Sequence, residues 1–116
     1  MFKGKNILVA GGTGTIGIQV VKQLLDKNAN ITVVSMDDEE FAKKVLGPNV
    51  NFKKYDLNEI HNCKKIIKGK DIVFNLVGIK GSVGIGETKV ASYLVSMLRF
   101  QTNLMEASFL EGVERY

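Results

Sequence analysis

Residues 7–17 read Ile-Leu-Val-Ala-Gly-Gly-Thr-Gly-Thr-Ile-Gly, and the fold follows from how that stretch is read. An apolar run of strand type stops at Gly11, glycines at 11, 12, 14 and 17 fill the turn, and an amphipathic stretch begins at Ile16. This is strand, loop, helix. Glycine suits such a loop because a side chain would hold a pyrophosphate away from the backbone. The N–H groups at a helix start also carry partial positive charge. A dinucleotide is the guest that this chemistry predicts. The register stays open: Gly12, Gly14 and Gly17 spell G-x-G-x-x-G, whereas Gly11, Gly14 and Gly17 spell G-x-x-G-x-x-G. Gly11, Thr13, Gly14, Thr15, Ile16 and Gly17 form the candidate phosphate-binding set.

Outward from the loop, strands and helices alternate. The apolar run at 6–10 is continuous, as in a parallel strand buried on both faces. The helix after it is expected to reach about Asn28, with Ile16, Val20, Val21, Leu24 and Leu25 facing the core, and Asn28 or Asn30 can take a left-handed closing turn. Residues 31–35 are β-branched and short, a second strand, and the acids at 37–40 sit where a helix N-terminus favours negative charge. Gly47-Pro48 stops that helix. Residues 50–55 form a third strand, and Asn58 is expected to cap a helix whose Ile60, Cys63, Ile66 and Ile67 share a face before Gly69 ends it.

A fourth strand is expected over 71–77. A second glycine-rich loop follows, with Gly78, Gly81, Gly84 and Gly86. From about Lys89 a long helix carries Leu94, Met97, Leu98, Gln101, Leu104, Met105 and Ser108 along one side until Gly112 closes it. The alternation predicts an α/β, doubly wound parallel sheet of Rossmann type, with four strands in the order 3-2-1-4.

Composition narrows the function. The 116 residues allow one domain at most, and the net charge of +4 comes from lysines spread along the chain without aromatic interleaving. A solvated basic surface is the reading, and no nucleic-acid partner is expected. One cysteine, Cys63, and one histidine, His61, exclude a disulfide framework and a metal-ligand cluster. Cys63 reads as a core filler, His61 as structural, and a reducing cytoplasm as the expected compartment. The glycines and Asn6 break the apolar start as a signal peptide, and no run is long enough to span a membrane.

Taken together, these residues resemble the extended short-chain dehydrogenase/reductases, commonly named NAD-dependent epimerase/dehydratases, over the whole chain. Ala-Gly-Gly-Thr-Gly-Thr-Ile-Gly at 10–17 is similar to the family's Thr-Gly-x-x-Gly-x-x-Gly, with Ala10 in the Thr place, which selects Gly11, Gly14 and Gly17. Tyr-Asp-Leu at 55–57 resembles the Asp-Leu after the third strand, so Asp56 and Leu57 are implied at the adenine. Phe-Asn-Leu-Val-Gly at 74–78 occupies the place of a cofactor-lining segment, which implies Leu76, Val77 and Gly78. Lys80 matches a lysine that touches the cofactor in the UDP-galactose 4-epimerase branch. Residues 103–116 resemble the family's Asn-Leu-Leu-Glu-Ala-Ala…Gly-Val-Lys-Arg-Phe.

The family's ribose-binding Asp is replaced by Ser35, with Asp37 and Asp38 just beyond. NAD or NADP is thus the implied cofactor, and NAD is favoured because no arginine stands nearby to hold a 2′-phosphate and the acids would repel one. Met97 stands where many members have Asn. The resemblance implies the N-terminal, cofactor-binding portion of an enzyme that transfers hydride between nicotinamide and a carbon of a nucleotide-sugar substrate.

Family catalysis needs a Tyr-x-x-x-Lys pair, and none lies within 1–116: Glu59 follows Tyr55 by four, Met97 follows Tyr93 by four, and Tyr116 is last, at what reads as the start of a fifth strand. Catalytic residues and the substrate domain are therefore expected outside this chain, which alone should be inactive. An apolar edge at Val73 and Leu76 is expected to pair with another chain, giving poor solubility or a homodimer. The alternative is a non-catalytic NAD(P)-binding module, a redox sensor or respiratory-complex assembly factor.

Overall fold

The run around Ile7 does what a continuous apolar strand must, which is to bury both of its faces. In the computed structural model, which describes residues 1–78 and 90–116, β1 (Asn6–Ala10) is central, and Ile7, Leu8, Val9 and Ala10 are all fully buried. Around it stand α1 (Thr15–Asp26), β2 (Asn30–Ser35), α2 (Glu39–Leu46), β3 (Asn51–Lys54), α3 (Ile60–Ile67), β4 (Ile72–Asn75) and α4 (Val90–Leu110). The four strands are parallel in the order β3-β2-β1-β4, as the alternation of elements predicts.

Because successive side chains of a strand point to opposite faces, the core splits in two. Ile7 and Val9 join Val21, Leu24, Val33, Ala42 and Leu46 under α1 and α2. Leu8 and Ala10 join Cys63, Ile66, Ile67, Phe100, Leu104 and Ala107 under α3 and α4. Cys63 is fully buried, as a core filler should be.

Several local expectations shift. In α1 the inward positions are Gly17, Val21 and Leu24, spaced four and three apart, while Ile16 is 69% exposed. The first turn of α1 overhangs the loop rather than the sheet, so the seam begins one residue later than the apolar count suggests. In α4 the inward seam is Phe100, Leu104 and Ala107, whereas Leu94, Leu98 and Met105 are more than half exposed. That helix is apolar on two sides, so periodicity alone could not say which faces the sheet. Asn58 is not the cap of α3. Glu59 holds that position without a side-chain bond, and the Asp56 carboxylate accepts the Asn58 N–H at 2.9 Å instead. The aspartate forms its own turn, which leaves Asn58 before the helix.

Helix ends follow the sequence more closely. Asn28 has φ 60°, closing α1 in the left-handed region, and Gly47, Gly69 and Gly112 end the other helices with φ of 73–83°. At the free side of β4, Arg115 bridges Ile72 in parallel, and the Val73 N–H donates to the Arg115 carbonyl at 2.9 Å. Val73 is therefore buried rather than presented as an open edge. The Leu76 N–H points the other way, donating to the Ala10 carbonyl of β1 at 2.8 Å.

Candidate functional site

Parallel strands converge at their carboxyl ends, and where the order turns from β1–β2 to β1–β4 the loops diverge and leave a crevice. Here the crevice is a cleft of about 520 Å³. Each strand sends its following residues into the wall: Gly11, Thr13 and Gly14 after β1, Ser35 and Asp37 at the end of β2, Asp56 and Leu57 after β3, and Leu76, Val77 and Gly78 after β4. Thr15, Ile16 and Gly17, in the first turn of α1, do not line it: Thr15 and Ile16 are exposed and Gly17 is buried. Lys80 and the loop glycines at 81, 84 and 86 fall outside the described residues.

The glycines of the loop have different causes. Gly11 has φ +80°, and a Cβ there would meet the Leu76 carbonyl oxygen at 2.7 Å. At Gly12 it would press on Val33 Cγ1 at 2.8 Å, and at Gly17 it would overlap the Gly11 carbonyl oxygen. Those three are required by packing. Gly14 is not: its φ is −79°, and among the described residues a Cβ would touch only the Gly11 carbonyl, at an ordinary 3.5 Å. It is also the N-cap of α1, which has no side-chain cap and no acidic residue in its first turn. Serine, threonine, aspartate or asparagine would cap better. Gly14 thus leaves a cradle that a side chain would fill, at the positive end of a helix dipole.

At the β2 end, the Thr13 hydroxyl donates to Asp37 Oδ2 at 2.5 Å, and the Asp37 N–H donates to Ser35 Oγ at 3.1 Å. Thr13 is nearly fully buried. The carboxylate is therefore fixed against the glycine loop, 24 residues away in sequence. The neighbouring Asp38 pairs with Lys54 at 3.3 Å, exposed and of small energetic weight. Asp56 Oδ1 takes both the N–H and the Nδ2 of Asn58, at 2.9 and 3.2 Å.

Five wall residues escape the sequence reading: Val34, Met36, Tyr55, Asn58 and Phe100. The first four adjoin expected site residues on a strand end and could have been found by extending each by one or two positions. Phe100 carries no such signal, because it reaches the cleft from α4. Two neighbours on that helix act beside it. Gln101 Nε2 donates to the Val77 carbonyl at 3.1 Å, and Asn103 Nδ2 donates to the carbonyls of Leu57 and Asn58, both at 3.1 Å.

Cys63 is not part of this chemistry. Burial, with the Asp56 charge a lesser cause, pushes its thiol up to about 11, and its Sγ lies 3.3 Å from the Leu57 carbonyl. Among the described residues no group of three His, Cys, Asp or Glu could hold a metal ion, and no helix is long and apolar enough to cross a membrane.

Comparison with known proteins gives the family. The NAD dependent epimerase/dehydratase family matches residues 7–116. The Prestalk A differentiation protein A of Dictyostelium discoideum is 39% identical over 71 residues, covering 60% of this chain and 24% of that protein. An inverting UDP-N-acetylglucosamine 4,6-dehydratase of Campylobacter jejuni is 27% identical over 120 residues, covering 99% of this chain and 36% of the enzyme. Among solved structures, MoeE5 in complex with UDP-glucuronic acid and NAD superposes with a TM-score of 0.76 at 27% identity, covering 93% of this chain and 34% of that one. The chain spans between about a quarter and about a third of the length of these relatives.

Proposed function

The chain belongs to the NAD-dependent epimerase/dehydratase family, and from that premise we propose that its cleft binds NAD, as the cofactor-binding portion of an enzyme acting on a nucleotide sugar. The observation that carries the reading is Gly14. Among the described residues no atom requires a glycine there, and a better helix cap has been forgone, so the open space serves a group that approaches the backbone closely. A pyrophosphate meets that description. The bound nicotinamide would supply hydride transfer.

The protein's own residues bind and orient. N–H groups of the first turn of α1 face the pyrophosphate, and Asp37, held by Thr13 and Ser35, accepts hydrogen bonds from the adenosine ribose hydroxyls. The same carboxylate repels a 2′-phosphate, which supports NAD over NADP. Asp56 and Leu57 line the adenine end, and Leu76, Val77 and Gly78 line the opposite end. The nucleotide-sugar class rests on relatives whose names specify such substrates, and no Tyr-x-x-x-Lys pair occurs within these 116 residues.

The test is calorimetric titration of the folded chain with NAD and NADP. Saturable NAD binding, about tenfold or more tighter than NADP, is expected, and Gly14→Val should abolish it while the circular dichroism spectrum is unchanged. A folded Gly14→Val chain with unaltered affinity overturns the phosphate-loop assignment.

A further inference from the structure

β4 ends in Asn75, and the structure shows what its side chain holds. Its Oδ1 accepts the Val77 N–H at 3.3 Å, and its Nδ2 donates to Gln101 Oε1 at 2.5 Å and to Tyr116 Oη at 2.8 Å. Gln101 closes the circuit by donating from Nε2 to the Val77 carbonyl at 3.1 Å. Both polar backbone groups of Val77, a residue beyond the last ladder pair of the strand, are thus held by side chains. Leu76 on one side is fixed by Ala10 and by the close face of Gly11. Without the two amides, Val77 and Gly78 would have no described hydrogen bond to set their course.

We infer that Asn75 and Gln101 form an amide clamp that positions the Leu76–Val77–Gly78 wall for the nicotinamide half of the cofactor, and so sets affinity for the whole dinucleotide without touching the adenosine half. The inference rests on the cofactor reading above. The topology separates the two halves. Ser35, Asp37, Asp56 and Leu57 stand on the β2–β3 side of the phosphate loop, whereas the clamped segment stands on the β4 side. The adenosine wall has its own support from Thr13 and Asn103. Gln101 makes no hydrogen bond to that side. It is therefore a positioning residue for one end of the cleft only.

The experiment compares NAD with ADP, which carries the adenosine and phosphate groups but lacks the nicotinamide half. Calorimetric titration of the 116-residue chain and of Gln101→Met, which keeps the side-chain length but cannot donate, should show the NAD dissociation constant rising about tenfold and that for ADP unchanged. Gln101→Glu, which keeps an acceptor for Asn75 but loses the donor to Val77, should behave alike, and it serves if the methionine variant folds poorly. Equal weakening of NAD and ADP overturns the inference in favour of a general packing role, and unchanged NAD affinity overturns it outright. If the unaltered chain is folded and binds neither ligand, the cofactor reading itself fails; if it binds both, only the clamp is at stake.

Discussion

Gly14 and Gly17 stand three residues apart in one motif, yet physical chemistry asks opposite things of them. A serine at 14 would supply the missing cap of α1 without strain, so Gly14→Ser should leave stability unchanged or raise it by a few tenths of a kcal/mol while weakening NAD binding. Gly17→Ala should cost about 3 kcal/mol or more, because the methyl overlaps the Gly11 carbonyl and neither backbone can yield cheaply. Urea unfolding of the two variants checks the contrast. At Cys63 the raised thiol, at about 11 against an ordinary 9.0, makes a pH prediction. The folded state keeps the proton that the unfolded state gives up, so this contribution is whole below pH 9.0 and is lost as pH rises from there towards about 11. Chemical denaturation midpoints measured across that window should fall, and should fall less in Cys63→Ala once its own lower baseline is subtracted.

Among the elements, α4 does the most that its sequence does not announce. It packs Leu104 and Ala107 into the core, lends Phe100 to the cleft, and ties down both loop walls through Gln101 and Asn103. Leu104→Ala should therefore cost about 2–5 kcal/mol in urea unfolding. β1 and β2 were legible because strands buried on both faces write themselves as apolar runs, and Gly11 and Gly17 because each lies against another stretch of backbone. Ser35, Asp37, Asp56 and Leu57 were legible through the family resemblance, which fixes their places after the second and third strands. What the sequence hid was orientation. Leu94, Leu98 and Met105 make as good a helical stripe as Phe100, Leu104 and Ala107, and only the second packs inward. Gln101 and Phe100 were hidden too, because a helix residue reaching a cleft leaves no periodic trace. Asn58 was misjudged because the carboxylate of an aspartate two residues earlier takes its N–H and its Nδ2 in a turn that precedes the helix.

Across the whole molecule, the polar and apolar surfaces are unevenly placed. The outer side of α4 leaves Leu94, Leu98, Met105 and Phe109 exposed, the last at 83%, whereas the β4 edge is engaged by Arg115. Self-association of this chain should therefore depend on the helix more than on the strand edge. Sedimentation velocity should show a concentration-dependent shift that a Leu98→Glu, Met105→Glu double variant suppresses. At the other end of the sheet, Lys5 pairs with Glu114 at 3.2 Å, Asn6 N–H donates to Asp71, and Arg115 reaches Met1 Sδ at 3.6 Å. The first and last residues of the chain are thus stitched side by side. Stretched between handles at Met1 and Tyr116, the molecule would feel the load on these few bonds in turn rather than on a whole ladder at once. It would peel open from the Val73–Arg115 contact at low force, and the residues around Arg115 would be the first to leave the sheet.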